Sequence, residues 1–236
     1  MGADPFGRAI RDHYHGERSE PLIDRDGGET RKHAIQRWYF DPFEGDQFLD
    51  TWLEGPLLDM GAGAGRLALY FQEGYETVAI EVSDHLVETM AARGVEKPRH
   101  ADMFALPEQF PRDRFRSAVA IGTQATLAGS VAGLRSFLSD LAYVTTPEAT
   151  AVLDSYDPRY EPTAEIFGYR SDPAPGLAYR IMHSEYEGDV GRTLLFRLFS
   201  PARLREATVG TPWGVAEVIR GAEAGRQQWR AALEKR

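Results

Sequence analysis

The chain has 236 residues, 42% of them hydrophobic and 27% charged, and a net charge of −9. This length and balance fit one α/β domain with insertions, and the acidic charge disfavours general nucleic-acid binding, which needs basic surface. The chain contains no cysteine, which excludes disulfides, thiolate metal ligands and a cysteine nucleophile.

The N-terminal part lacks the apolar core of a signal peptide, and no apolar run of the chain approaches the roughly 20 residues of a membrane span. We therefore expect a cytoplasmic protein without a membrane partner. "DPFGRAIRDHYHGER" predicts a helix with Asp4 as N-cap, "EPLIDRDGGETRKH" a polar loop, and "FEGDQFLDTWLEG" a short helix. Together they form a predicted helical extension or cap over residues 1–54.

Strands and helices alternate through the next hundred residues. The strand and helix segments are "PLLDM", "AGRLALYFQEG", "ETVAIEV", "SDHLVETMAARG", "PRHAD", "RSAVAIG", "SVAGLRSFLSDLAYVTTP" and "EATAVLDSY". Strands alternating with helices of about ten to fifteen residues indicate right-handed βαβ units and a mostly parallel sheet.

The pattern changes after Asp157. A proline-rich excursion leads into "LAYRIMHSEYEGDVGRTLLFRLF", which predicts a β-hairpin, and then come a capped helix, "SPARLREATVG", and two final strands, "PWGVAEVIRG" and "RQQWRAALEK". The prediction is a doubly wound, mostly parallel seven-stranded α/β sheet with helices on both faces. It occupies residues 55–236 and carries an inserted lid hairpin at about 158–199.

The stretch "LLDMGAGAGRL", Leu57 to Leu67, follows the first predicted strand of this sheet. Ligands of such sheets bind at the first strand–helix turn, where the strand order reverses. A dinucleotide site needs G-x-G-x-x-G, but here Gly61, Gly63 and Gly65 alternate and Asp59 precedes them. The pattern D-x-G-x-G-x-G suits a ligand with an ammonium and a thioether. Asp59 either orients the loop or contacts the ammonium.

"LLDMGAGAG" resembles the first motif of the class I S-adenosylmethionine-dependent methyltransferases, and "VAIEVS", "HADMFALP" and "AVAIGTQATL" follow in the family's order. The resemblance covers roughly residues 55–156 and 200–234. It implies an S-adenosylmethionine cofactor, with S-adenosylhomocysteine as product. The cofactor-binding residues that it implies are Asp59, Gly61, Ala62, Gly63, Gly65, Glu81 at the ribose, Val82 at the adenine, Asp102 with Met103 at the adenine amino group, and Gly122 near the methionine part.

The sequence says less about the methyl acceptor than about the cofactor. The "IGTQAT" of the fourth motif differs from the Asn/Asp-Pro-Pro-aromatic run common in enzymes that methylate bases or glutamine amides, and no histidine or acid cluster follows that strand. The histidines show no metal-ligand spacing except His13 and His15, which as an i, i+2 pair on a helix point to different faces and are expected at the surface. We therefore expect a small-molecule acceptor and no metal. The acceptor atom, any general base and the oligomeric state stay open.

Two added segments are free to define the acceptor pocket. The aromatic run "QRWYF" should bury Trp38 and Tyr39 against the cofactor or substrate, unless it packs ordinarily. In the hairpin, strand alternation places Met182, Ser184 and Tyr186 on one face and His183 with Glu185 on the other. His183 is the candidate base.

Three other functions remain possible at this stage. They are methyl transfer to protein or RNA, a non-catalytic S-adenosylmethionine-binding protein, and a nicotinamide dehydrogenase, which the glycine spacing disfavours.

Overall fold

A computed structural model describes residues 3–220 and 228–236 of the chain. The helices are α1 (Pro5–His15), α2 (Gln47–Trp52), α3 (Arg66–Phe71), α4 (Asp84–Ala92), α5 (Val131–Val144) and α6 (Pro201–Thr208). The strands are β1 (Ile23–Asp26), β2 (Glu29–Lys32), β3 (Leu57–Met60), β4 (Thr77–Glu81), β5 (Pro98–His100), β6 (Phe115–Ala120), β7 (Thr145–Tyr156), β8 (Tyr169–Ser171), β9 (Leu177–Tyr186), β10 (Asp189–Val190), β11 (Leu194–Phe199), β12 (Trp213–Arg220) and β13 (Gln228–Lys235).

The main sheet has seven strands in the order β12-β13-β7-β6-β3-β4-β5. The five strands from β7 to β5 pair in parallel, and β13 and β12 add antiparallel strands at one edge. This confirms the predicted doubly wound α/β sheet. Residues 221, 226 and 227, at the ends of the two predicted final strands, lie outside the described residues.

Alternate residues of β3 face opposite helical layers. Leu58 and Met60 belong to the core beneath α5 and α6, whereas Leu57 packs with Phe71 on the face that carries α2 and α3. All four residues of β3 are buried, as expected of a central parallel strand with both faces covered. The order of the strands reverses around β3, which has β4 on one side and β6 on the other.

A second sheet covers the N-terminal side of the molecule, and we call it the cap sheet. It contains β10, β9, β1 and β2 in that order, with β8 and β11 also paired to β9. The prediction of a polar loop over residues 20–33 is wrong. This segment forms the β1–β2 hairpin, and Asp24 pairs in register with Ser184 of β9. The added N-terminal segment and the inserted hairpin are therefore one structural unit.

Within the described residues, no helix is long and apolar enough to cross a membrane. No group of three or more acidic, histidine or cysteine side chains there has the arrangement of a metal site.

Candidate functional site

The glycine turn, residues 61–65, links β3 to α3 at the carboxyl edge of the main sheet. Gly61, Gly63 and Gly65 have φ values of 67°, 59° and 79°. Residues other than glycine rarely adopt this left-handed backbone conformation, so the turn itself requires the alternating glycines. The close approach of a ligand is therefore not the only reason for their spacing.

Each glycine of the turn also lies against another part of the chain. A Cβ on Gly65 would lie 2.5 Å from Val95, inside the core. A Cβ on Gly61 would lie 2.7 Å from the side chain of Gln124, and one on Gly63 would lie 3.0 Å from the ring of Tyr39. Gly61 and Gly63 thus face side chains that can rotate, whereas Gly65 faces packed apolar groups.

Asp59 lies on β3, two residues before the turn. Its side chain is 2% exposed, and its Oδ2 is buried with no hydrogen-bond partner among the described residues. Burial, together with the nearby charge of Glu81, raises the pKa of Asp59 to about 7. A buried carboxylate oxygen without a donor is costly, so this atom is suited to a donor that comes with a ligand.

Glu81 ends β4 and is clamped to the glycine turn. Its Oε1 accepts a hydrogen bond from the Gly63 N–H at 2.9 Å, and its Oε2 accepts one from the Val82 N–H at 3.1 Å. Burial raises the pKa of Glu81 to about 7, although these two backbone bonds act in the opposite direction. Each carboxylate oxygen keeps a lone pair for a further donor.

The other residues predicted to bind the cofactor differ in how far their side chains are exposed at this edge of the sheet. Val82 is 48% exposed, and Ala62 packs against the cluster around Met90. Asp102 is exposed, and its Oδ1 caps the Phe104 N–H. The Met103 side chain lies in the core under the sheet, 6% exposed, so the structure gives this side chain a packing role.

An acid that the sequence analysis missed holds the turn after β6. Asp154, at the end of β7, accepts from the Gly122 N–H at 3.0 Å and from the Thr123 N–H at 2.6 Å. Thr123 has a φ of 66°, which is strained for a β-branched residue, and burial raises the pKa of Asp154 to about 6. The sequence pattern that could have identified Asp154 is an acid near the end of an apolar strand, the same pattern as at Glu81.

Known protein families and curated proteins offer no match to this sequence, but solved structures do. A Bacteroides fragilis methyltransferase in complex with S-adenosylhomocysteine is 22% identical, with a TM-score of 0.80 over 98% of this chain and 94% of the other. The chain has the class I methyltransferase fold. CcbJ from Streptomyces caelestis is 13% identical (TM-score 0.58, 80% and 92% covered), and an amino pentose methyltransferase from Micromonospora echinaspora is 17% identical (0.55, 76% and 83%).

In this methyltransferase fold, the predicted aromatic run forms a single π-helical turn, Gln36–Phe40, beside the glycine turn. Tyr39 turns inward onto Gly63, and burial raises the pKa of its hydroxyl. Trp38 turns outward. Its indole is 53% exposed and lies under the guanidinium of Arg37. Arg93 donates to the carbonyls of Tyr39 and Ala64 and so ties the π-helical turn to the glycine turn.

An oriented histidine lies behind Tyr39. The Nδ1 of His33 is 2.8 Å from the Oδ2 of Asp24, and Ser184 donates to the other oxygen of Asp24. The His33 ring stacks on Tyr39 with its centroid 5.8 Å away. Its Nε2 is buried and has no partner among the described residues. With the proton on Nδ1 facing Asp24, Nε2 is left as a proton acceptor.

His183, the base predicted from the sequence, lies elsewhere on β9. Its Nε2 is 3.2 Å from Glu185 Oε1, and Glu185 also pairs with Arg25. Met182, Ser184 and Tyr186 are buried whereas His183 and Glu185 are only partly buried, as the alternation predicted. His183 therefore lies on the opposite face from Ser184 and Asp24.

Proposed function

We propose that the protein is an S-adenosylmethionine-dependent methyltransferase that acts on a small molecule. The observation that carries the proposal is the pair Asp59 and Glu81. Asp59 is a buried carboxylate and Glu81 a partly buried one, at the carboxyl edge of β3 and β4 beside a glycine turn, in a fold whose solved neighbours include a complex with S-adenosylhomocysteine. In open α/β sheets, ligands bind at this edge.

The residues around the turn fit this cofactor. Asp59 offers its orphaned Oδ2 to the ammonium, and Glu81 offers its free lone pairs to the two ribose hydroxyls. The exposed side chain of Val82 is available to the adenine, and Asp102 lies after the next strand, where the adenine amino group would be. Gln124 and Tyr39 lie against Gly61 and Gly63, so their side chains have to rotate to admit the methionine part.

The bound cofactor would supply an electrophilic methyl group on a sulfonium. The chain's own part is to align the acceptor, exclude water and remove a proton where the acceptor carries one. Tyr39 is placed to cover the glycine turn and exclude water. For the proton we propose the Nε2 of His33, because Asp24 orients this ring and because the ring stacks on Tyr39, which in turn lies against Gly63. His183 is oriented by Glu185 instead, and it lies on the opposite face of β9 from Ser184 and Asp24.

The described residues also form an open groove of about 590 Å³ between the β1–β2 turn and residues 164–170, apart from the residues that we assign to the cofactor. This volume falls in the usual range for small-molecule sites. The amino pentose methyltransferase shares the fold and acts on a sugar, whereas the net charge of −9 disfavours an RNA acceptor. We rank a protein acceptor and a non-catalytic binding role second. Without cysteines the chain suits the cytoplasm, which we retain as the proposed location.

Isothermal titration calorimetry with S-adenosylmethionine, S-adenosylhomocysteine and NAD tests the cofactor, and release of S-adenosylhomocysteine from a broad metabolite mixture tests turnover. We expect both adenosyl ligands to bind and NAD to fail. Binding of NAD alone would refute the proposal. Cofactor binding without methyl transfer to any fraction would support the non-catalytic alternative, and the variant His33→Gln should lose turnover while it keeps cofactor affinity.

A further inference from the structure

Arg180 is a partly buried residue of β9, on the same face of the strand as the buried Ala178, Met182 and Ser184. Its guanidinium is half-buried, with Nε donating to the Phe167 carbonyl at 2.9 Å and Cζ 5.5 Å from the centre of the Phe196 ring. A single neutral acceptor leaves most of its five N–H donors unused. Arg180 makes no salt bridge with any carboxylate in the described part of the chain.

The charges around Arg180 do not neutralise it. Burial lowers the pKa of the guanidinium, and the positive charge of Arg31 on β2 lowers it further. Asp24 acts in the opposite direction, but its oxygens are already engaged by His33 and Ser184. Arg31 has no ion pair with a described carboxylate either. Arg180 therefore lacks a direct carboxylate partner among the described residues, although the charge of Asp24 acts on it and the exposed Arg31 lies near it.

The position of these arginines connects the groove with the glycine turn. Arg31 and Phe167 line the 590 Å³ groove. On the inner side, the tyrosine hydroxyl of Tyr39 is close enough to both Glu81 and Arg180 for their charges to act on it. Arg180 thus lies between an opening large enough for a small molecule and the edge where we place the cofactor.

We propose that Arg180, assisted by Arg31, binds a carboxylate of the methyl acceptor, so that the acceptor is an anionic small molecule. The planar guanidinium matches a carboxylate with two parallel hydrogen bonds. The identity of the ligand as the acceptor rests on the proposed function, but the anion site itself does not. The hydroxyl of Tyr156, whose pKa burial raises and the nearby charge of Arg180 lowers in part, is a further neighbour for the bound acid.

The test compares benzoate with its neutral isostere benzamide. Binding of each is measured by ligand-observed NMR up to 20 mM, with the protein saturated with S-adenosylhomocysteine and again without it. We expect benzoate to bind at least tenfold more tightly than benzamide, since charge-assisted hydrogen bonds of about this strength are typical of arginine–carboxylate pairs.

Three variants locate the site. Arg180→Gln should abolish the preference for benzoate, Arg180→Lys should keep part of it, and Arg31→Gln should weaken it severalfold. Arg192→Gln is the matched control. Arg192 is an exposed arginine of the same inserted hairpin, and none of the described residues forms an ion pair with it. Melting temperatures show whether a variant is folded, and Arg180→Lys keeps the test valid if Arg180→Gln unfolds.

Equal binding of benzoate and benzamide to the native protein would overturn the proposal, and so would a preference that survives Arg180→Gln. The failure of the proposed function looks different. In that case S-adenosylhomocysteine does not bind, while the preference for benzoate still depends on Arg180. All three variants should retain the native affinity for S-adenosylhomocysteine, because neither arginine contacts the glycine turn.

Discussion

Asp59 and Glu81 are two acids whose pKa values are raised in the folded protein. Burial raises the pKa of each to about 7, so the folded chain holds protons that the unfolded chain releases at lower pH. The free energy of unfolding of the ligand-free protein should therefore decrease as the pH rises from about 4 to about 7, and stay at the lower level above that. These acids oppose folding at neutral pH, which is typical of groups placed for ligand binding.

The same protonation predicts a pH dependence of cofactor binding. The ammonium and the ribose hydroxyls favour the ionised carboxylates, so affinity for S-adenosylhomocysteine should rise from pH 5.5 to pH 8 by up to about thirtyfold for each of the two acids that has to be ionised. Calorimetry in two buffers of different ionisation enthalpy should detect protons released near pH 6.5. Asp59→Asn should reduce this release, and a pH-independent affinity would contradict the assignment.

Removing the ribose acceptor should cost affinity. Glu81→Ala deletes charge-assisted hydrogen bonds worth about 1.5–3 kcal/mol each, so the dissociation constant for S-adenosylhomocysteine should rise at least tenfold. Glu88→Ala is the control, because Glu88 is an exposed acid on α4 that only approaches Arg11 at 3.9 Å. If calorimetry gives the same constant for Glu81→Ala and the native protein, the ribose is bound elsewhere.

Gly63 carries a conformational and a steric requirement at once. Alanine there would be strained at a φ of 59° and would contact Tyr39 at 3.0 Å, so Gly63→Ala should lower stability by about 1 kcal/mol and weaken cofactor binding. The double variant with Tyr39→Ala removes the contact and keeps the strain. Full recovery of the melting temperature in the double variant would show that the contact alone mattered.

At the scale of elements, Arg93 joins the cap to the main sheet. It donates from α4's C-terminal end to the carbonyls of Tyr39 and Ala64, and its guanidinium lies 4.9 Å from the ring of Phe40. The two hydrogen bonds of Arg93 connect only the π-helical turn and the glycine turn. Loss of this side chain should release the π-helical turn and leave the glycine turn in place.

Hydrogen exchange measures this coupling. S-adenosylhomocysteine should increase protection in residues 30–42 as well as in residues 61–65, and in Arg93→Ala the gain should persist only in the glycine turn. Arg112→Ala is the control, because Arg112 packs on Tyr143 at the far side of α5. Protection confined to the glycine turn and Glu81 in the native protein would mean that the π-helical turn is ordinary packing, and Trp38 and Tyr39 would leave the site.

Elements with a local signal could be predicted from the sequence, and elements held by distant partners could not. β3 is an apolar run, and α4 and α5 have serine N-caps, so their types and order follow from nearby residues. β1 and β2, "IDRD" and "ETRK", are polar and partly or wholly exposed. They are strands because β1 pairs with β9. The Asp24–His33 pair was missed for the same reason.

At the scale of the whole molecule, the N-terminal segment is integral. α1 packs on α4, with Asp4 and Ser83 joined side chain to side chain, and Leu22, Ile35 and Tyr186 share one buried cluster with Ala64 of the glycine turn. This cluster joins the cap sheet to the edge of the main sheet. The segment therefore does more than extend a complete domain.

Deleting residues 1–34 should expose the edge of β9 and the apolar side chains that the segment covers, so we expect a large loss of melting temperature or aggregation, seen by size-exclusion chromatography. Deleting residues 1–3 is the control, since Asp4, the N-cap of α1, is retained. A monomeric 35–236 chain with native stability would show that the segment is dispensable.

The pairing of β1 with β9 also sets an order of events during synthesis. Asp24 and Ser184 are separated by 160 residues, and strands β3 to β7 are all translated between them. At about 5–20 residues per second, the first hairpin waits roughly 8–30 s for its partner strand to leave the ribosome. The parallel core can assemble in that interval. The polar cluster around His33 and Arg180 comes together only after strands β3 to β7 have been translated.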